Sequence, residues 1–293
     1  MLQGEPDWKT SSTAINELMK SMMKPCLNQD TLRSTATDIF IPIAERAGFG
    51  AVELTQDKVE PILARNSLKA LADQIETHGL TVASINGPEN FNLLNQRQFS
   101  EISERSQKLA QAARELNCNL LVPVPSPMQS GLSADEVRAK TARSLTQLAD
   151  SCGQDINLGL EFLGIKECSV NNLKDAIEIV RTVNRKNVGL VLDSFHLYLS
   201  GSQLTEMKEV DRDRIFLVHV NDSEPGDRST MRDANRLYPG EGVIDLKRFA
   251  VDLAKLRYDS FLSLELLRPS YWEEDPEKVA AIGRESLRKV FGV

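Results

Sequence analysis

Four short apolar runs in the second half of the chain each end in a residue that can bind a metal ion. Their closing residues are two glutamates, one aspartate and one histidine. The runs are 158–161, 188–193, 215–219 and 261–265, and they end in Glu161, Asp193, His219 and Glu265. Three carboxylates and one imidazole form a mixed oxygen and nitrogen donor set for a divalent cation. The pattern predicts one metal site, provided that the four run ends meet in space.

The alternation of strand-like and helix-like segments predicts how these ends meet. Most strand-like runs are continuously apolar, as is typical of strands that are buried on both faces. Eight such units of about 30 residues predict an α/β fold, a single-domain (β/α)8 TIM barrel over residues 24–293, whose strands all open onto one face at their carboxyl ends. The candidate strands lie near 24–29, 51–55, 81–86, 119–123, 157–163, 188–193, 215–220 and 261–265.

A doubly wound open sheet is the rival architecture. Such a sheet usually has a glycine-rich turn after its first strand. Here the first strand is followed by residues 28–31, Asn-Gln-Asp-Thr, with no glycine. The barrel is therefore the favoured fold.

Residues 1–23 precede the predicted barrel as an N-terminal extension. Four apolar residues at helical spacing predict a short helix that closes the barrel floor, with a partly disordered extension as the alternative. These residues are Ile15, Leu18, Met19 and Met22. The segment contains acidic residues but no arginine, so a targeting role is not favoured.

The charge of the chain weighs against a nucleic-acid partner. The 293 residues carry a formal net charge of −7 at pH 7, and the lysines and arginines are scattered along the sequence. Binding a polyanion requires a concentrated basic surface. The composition suits a neutral substrate or a cation. It is also compatible with a homo-oligomer.

The cysteines and the hydropathy indicate a cytoplasmic protein. None of Cys26, Cys118, Cys152 and Cys168 forms a C-x-x-C pair, so they are expected to be reduced thiols. No apolar run approaches the roughly 20 residues that a membrane span needs, and the first residues lack the apolar core of a secretory signal. We therefore expect no membrane partner.

Two further features lie close to the predicted site. His196 follows Asp193 by three residues, where it can touch the substrate or orient a metal ligand. The irregular stretch 221–243 follows the seventh strand, and we expect it to form a wall or lid of the pocket. If the two residues do not bind a metal, Glu161 would form a salt bridge at the barrel rim, and His219 would be a core histidine with its hydrogen bonds satisfied.

Five motifs taken together resemble the xylose isomerase-like superfamily of sugar isomerases and epimerases. They are 159–162, 193–196, 218–222, 239–242 and 264–265. Within this superfamily the second half is most similar to the inosose isomerases (2-keto-myo-inositol isomerases), through 182–185, 187–196, 236–245 and 265–269. The first half matches more loosely, and the N-terminal extension has no counterpart in the pattern.

The resemblance implies a metal-dependent isomerase that moves a carbonyl between adjacent carbons of a keto-inositol through an enediolate. It assigns one divalent ion (Mn, Zn, Co or Mg) to Glu161, Asp193, His219 and Glu265. Glu161 and Glu265 are then the proton-transfer groups, and His196 can move a proton between the two oxygens. The substrate would be a small neutral polyol or ketose, and its expected contacts are His196, Arg236, Arg268 and Trp272.

Four alternatives stay open at this point, three of them enzymatic. An inosose dehydratase or a ketose 3-epimerase would use the same metal site and the same enediolate. An apurinic-site endonuclease needs a cluster of three metals that is rich in histidine, and the chain contains three histidines in total. A non-catalytic sugar-binding barrel would have no need for the complete ligand set.

Overall fold

Eight parallel strands form a closed barrel in the part of the chain that the structure describes, residues 23–209 and 212–293 of the computed structural model. The first strand pairs with the last, which closes the sheet. In chain order the barrel strands are β1 (Lys24–Asn28), β2 (Ala51–Thr55), β3 (Thr81–Glu89), β4 (Leu120–Val124), β5 (Asn157–Glu161), β6 (Val188–Asp193), β7 (Ile215–Val220) and β8 (Phe261–Leu264). The predicted (β/α)8 barrel is confirmed.

The strands lie where the apolar runs predicted them, with ends that differ by up to three residues. Every residue of β2 and of β6 is buried, as expected for strands covered on both faces. The predicted N-terminal helix falls on residues outside the described ranges, apart from Met23, which is buried just before β1.

α-Helices surround the barrel, and all of those in the described ranges except the four-residue helix Pro269–Trp272 have buried residues. They are α1 (Thr37–Arg46), α2 (Gln56–Ala64), α3 (Leu68–Thr77), α4 (Gln96–Glu115), α5 (Ala134–Cys152), α6 (Leu173–Val183), α7 (Ser194–Ser200), α8 (Leu246–Lys255), α9 (Pro269–Trp272) and α10 (Pro276–Phe291). The two longest, α4 and α5, each begin with a capping box, which satisfies backbone N–H groups at the helix start. None of the helices in the described ranges has the length and hydropathy of a membrane span.

The long connection after β7 is an ordered structure. Its two short strands, Asp222–Ser223 and Arg236–Leu237, pair antiparallel. The buried Asp222 carboxylate accepts backbone hydrogen bonds from Gly240 (3.0 Å) and Ile244 (2.9 Å), which fixes the return of the chain. This connection carries Arg236 to the carboxyl end of the barrel.

Two glycines that pair across β5 and β6 make room for the ring of Phe216. Gly159 pairs with Gly189 across these strands. A Cβ atom at Gly189 would lie 2.7 Å from the Phe216 ring and closer still to the Arg214 carbonyl. Because close-packed interiors resist added atoms, a side chain at this position must displace backbone.

We predict that Gly189→Ala lowers the free energy of unfolding by about 1–3 kcal/mol, the usual cost of overpacking. Gly50→Ala is the matched control, since this exposed glycine has open space where a Cβ would be. Its effect should stay within about 0.5 kcal/mol. Urea unfolding of both variants measures the difference, and equal midpoints would contradict the packing argument.

Candidate metal centre

The four strand-end residues come together at the carboxyl end of the barrel. Glu161 and Asp193 are the last residues of β5 and β6, His219 lies on β7, and Glu265 directly follows β8. One donor atom from each lies within 4.8 Å of the others. All four side chains are at most 4% exposed. The convergence expected from the barrel topology is present.

The His219 ring turns its Nδ1 atom toward the carboxylates. Nδ1 lies 2.8 Å from Glu161 Oε1 and 3.4 Å from Glu265 Oε2. Nε2 faces the opposite way, into the barrel, where it contacts the carboxylate of Glu53. Nδ1 is thus the nitrogen available to a metal ion.

Both oxygens of Asp193 have partners that fix the carboxylate. Oδ1 accepts hydrogen bonds from the backbone N–H groups of Phe195 (2.7 Å) and His196 (2.9 Å), and so caps α7. Oδ2 accepts from Asn221 Nδ2 (2.9 Å) and Arg236 Nη1 (2.7 Å). Burial alone would raise the pKa of Asp193, but the charge of Arg236, followed by the histidines, holds it below its ordinary value.

Arg236 is a buried cation at the centre of the cluster. Besides Asp193, its Nη1 lies 2.8 Å from Glu265 Oε2, and its Nη2 lies 3.2 Å from His196 Nε2. Its guanidinium also pairs with Asp233. One arginine therefore offsets part of the charge of two ligand carboxylates and adjoins the histidine next to them.

The donor set fits a divalent metal ion. Burial lowers the pKa of His219, but Glu265, Glu53 and Glu161 outweigh it and raise that pKa well above the ordinary value. Burial also raises the pKa of Glu265 well above its ordinary value, although His219 and Arg236 act in the opposite direction. A dication at the Nδ1 position would offset the mutual repulsion of these crowded carboxylates. Carboxylate oxygens with one imidazole nitrogen suit Zn²⁺, Mn²⁺ or Co²⁺, and the oxygen majority also admits Mg²⁺.

A cavity of about 450 Å³ opens directly above the cluster. This volume is in the usual range of small-molecule sites. Glu161, Glu265, His196 and Arg236 line its floor. The two carboxylates expected to transfer protons therefore both face the same space.

Polar side chains from the first three strands and the residues that follow them also line the cavity. These include Asp30, Gln56 and Asn86. Burial raises the pKa of Asp30 to about 6, although Arg33 acts in the opposite direction. Within the described ranges, no hydrogen-bond donor reaches Gln56 Oε1. Such acceptors are suited to hydroxyl groups.

The four expected substrate contacts divide into two pairs. His196 and Arg236 line the cavity, whereas Arg268 and Trp272 are not among its lining residues. Arg268 pairs with Glu224 (2.7 Å) and donates to the Ala234 carbonyl (3.1 Å), on the connection that carries Arg236.

Trp272 likewise supports the cavity from outside. Its Nε1 donates to the carbonyl of Asp30 (2.8 Å), a residue that lines the cavity. Trp272 and Arg268 thus contact residues of the site instead of its open space.

Glu53 is the residue of the site that sequence reasoning missed. It lies in the middle of the apolar strand β2 and is fully buried. The available signal was a carboxylate within Ala-Val-Glu-Leu-Thr, an expensive group to bury without partners. Because Glu53 lies inside its strand, the pattern of ligand-type residues at run ends does not include it.

Known proteins share this barrel. The sequence model described as the xylose isomerase-like TIM barrel matches residues 41–290. The chain belongs to this family, and the family resemblance inferred from its motifs is confirmed.

The most similar relatives include two inosose isomerases. The one from Bacillus velezensis is 31% identical over 271 residues, which cover 92% of this chain and 97% of that protein. The one from Bacillus subtilis is 31% identical over 267 residues, covering 90% and 96%. A crystal structure described as the IOLI protein with a binding zinc atom has a TM-score of 0.88 at 30% identity, covering 92% of this chain and 98% of the other.

We predict that the wild-type protein binds one divalent metal per chain and that Asp193→Ala and His219→Ala weaken binding at least tenfold, because each removes a donor. The control is His78→Ala. This histidine follows α3, far from the cluster in sequence, and its Nδ1 lies 3.5 Å from Glu45 Oε2. Metal analysis after dialysis against a weak chelator measures occupancy. Unchanged metal content in the Asp193 and His219 variants would exclude this ligand set.

Proposed function

We propose that the protein is a metal-dependent isomerase that moves a carbonyl between adjacent carbons of a keto-inositol, 2-keto-myo-inositol. The observation that carries the proposal is the placement of Glu161 and Glu265 at the ends of different strands, around one buried centre and facing one cavity. The similarity to inosose isomerases over 92% of the chain supports the choice of substrate.

Glu161, Asp193, His219 and Glu265 would hold the divalent ion. When bound, the ion stabilises the negative charge that develops on two neighbouring substrate oxygens. The zinc in the IOLI structure supports Zn²⁺ as a candidate beside Mn²⁺, Co²⁺ and Mg²⁺.

The protein side chains carry out the proton transfers. One of Glu161 and Glu265 removes the proton from the hydroxyl-bearing carbon, which gives an enediolate, and a carboxyl group returns a proton to the neighbouring carbon. His196, on the cavity floor beside Arg236, moves the remaining proton between the two oxygens. Arg236 orients these oxygens with its charge.

The other lining residues favour a neutral, hydroxyl-rich substrate. Asp30, Gln56 and Asn86 offer acceptors and an amide donor to hydroxyl groups. Arg268 and Trp272 contribute by holding the chain around Arg236 and Asp30 in place. The four buried free cysteines support a cytoplasmic location, where thiols stay reduced.

We predict that the metal-loaded protein converts 2-keto-myo-inositol to an isomeric keto-inositol. In heavy water the product should carry deuterium at the former carbonyl carbon, or show internal transfer of the original hydrogen to it. Nuclear magnetic resonance of the reaction mixture measures both.

A different product would identify a different reaction on the same site. Loss of water would indicate a dehydratase. Inversion of one carbon of a ketose in a parallel substrate panel would indicate a 3-epimerase. Either result, without carbonyl migration, would contradict the isomerase proposal.

We predict that Glu161→Gln and Glu265→Gln keep one oxygen donor and the side-chain volume but lose basicity. The variant of the residue that acts as the base should retain metal and substrate, with kcat lower by about 10²–10⁴-fold. Glu241→Gln, an exposed position outside the cavity lining, is the control. Near-full turnover in both metal-loaded variants would exclude the two-carboxylate mechanism and make His196 the leading candidate for the base.

A further inference from the structure

Glu53 approaches the metal centre from inside the barrel. It lies on β2, 166 positions away from His219 in sequence, and its side chain is fully buried. Its Oε1 and Oε2 atoms lie 3.1 Å and 3.0 Å from His219 Nε2. Glu53 is absent from both the four-residue donor cluster and the cavity lining. Its contact with the centre therefore runs through the imidazole.

Neighbouring strands hold the Glu53 carboxylate in this orientation. Oε2 accepts hydrogen bonds from Asn28 Nδ2 (2.9 Å) on β1 and from Ser263 Oγ (2.8 Å) on β8. These positions are fixed by the sheet, since Asn28 pairs with Glu53 and Ser263 with His219 in the strand register. A side chain anchored by two strands and aimed at a third has little freedom to move away.

Asn28 also connects Glu53 to a second ligand. The same Nδ2 group lies 3.0 Å from Glu265 Oε1 and 2.9 Å from Glu53 Oε2. The buried Asn28 amide therefore orients Glu265 directly and His219 through Glu53. This is a continuous set of hydrogen bonds beneath the ligand cluster.

The chemistry of imidazole gives this contact a consequence. A neutral histidine has one N–H donor and one nitrogen lone pair, so the partner of one nitrogen decides what the other can do. Both ring nitrogens of His219 face carboxylates, Nδ1 at 2.8 Å from Glu161 Oε1 and Nε2 at 3.0 Å from Glu53 Oε2. A divalent ion would replace the proton at Nδ1, and Glu53 would keep the remaining proton on Nε2. A negative partner also makes the ligating nitrogen more basic, and such partners typically contribute about 10–100-fold to metal affinity.

We propose that Glu53 is a positioning residue of the metal centre, which holds His219 in the Nε2-protonated form with Nδ1 aimed at the divalent ion. The inference rests on the metal site of the proposed function, but not on the reaction that the site performs. It explains why a carboxylate is buried in the barrel interior, where an unpaired charge would be costly.

The first test is the zinc affinity of Glu53→Gln, measured by competition with a chromophoric chelator. The variant keeps the side-chain volume and removes the charge, so affinity should fall about 10–100-fold. The d–d absorption bands of the Co²⁺-loaded variant should also shift, because the imidazole donor is altered. Unchanged affinity and an unchanged spectrum, with or without a loss of thermal stability, would reduce Glu53 to a structural residue.

A double-mutant cycle separates an effect through His219 from a general effect of charge. In the His219→Ala background, Glu53→Gln should change zinc affinity by less than about twofold, because the imidazole that transmits the effect is gone. An equal loss of affinity in both backgrounds would overturn the proposal in favour of simple electrostatic attraction.

The wild-type protein provides a test that requires no variant to fold. With ¹⁵N-labelled histidine, the zinc-loaded protein should show His219 protonated at Nε2 and bound through Nδ1. The reverse assignment would overturn the proposal, as would the absence of zinc binding. Zinc binding with the expected tautomer but no isomerisation would contradict the proposed reaction and leave the role of Glu53 intact.

Discussion

Repulsion among buried carboxylates is the constraint on which the rest of this structure depends. The three ligand carboxylates and Glu53 are all buried, and uncompensated charges are costly in such a place. His219 lies between them, and Arg236 pairs with two of them. The amides of Asn28 and Asn221 donate further hydrogen bonds to Glu53 Oε2 and Asp193 Oδ2. Stability and metal chemistry thus have the same origin, since each ligand is held by the groups that offset its charge.

The connection after β7 is as much a part of the centre as the strands are. It supplies Arg236, and its shape depends on Asp222, which accepts backbone hydrogen bonds across the turn. Gly242 packs so tightly on this turn that a Cβ atom would lie 2.5 Å from the Asp222 carboxylate. Arg268 fastens the same segment through Glu224. The loop therefore behaves as a rigid extension of the barrel.

The sequence predicted the barrel and its ligand cluster because both depend on local patterns. Continuous apolar runs define strands buried on two faces, and the parallel topology brings their ends together without further information. Glu53 could not be found by looking at run ends, since its role depends on which strand lies across the barrel from it. Trp272 and Arg268, whose contact with the substrate stays a prediction, follow β8 and donate to Asp30 and Glu224. Such choices depend on side-chain packing that no spacing encodes.

The ligands and the opposite cavity wall come from different halves of the polypeptide. The four donors lie at or next to the carboxyl ends of β5 to β8, whereas Asp30 and Gln56 follow β1 and β2, and Asn86 lies within β3. A substitution at Gln56 can therefore change which hydroxyl pattern is accepted without touching a donor atom, whereas one at Asn86 also alters its 3.4 Å contact with Glu265 Oε1. The gene is nevertheless not divided into a substrate half and a reaction half, since Asn28 and Glu53 of the first half support the ligands of the second.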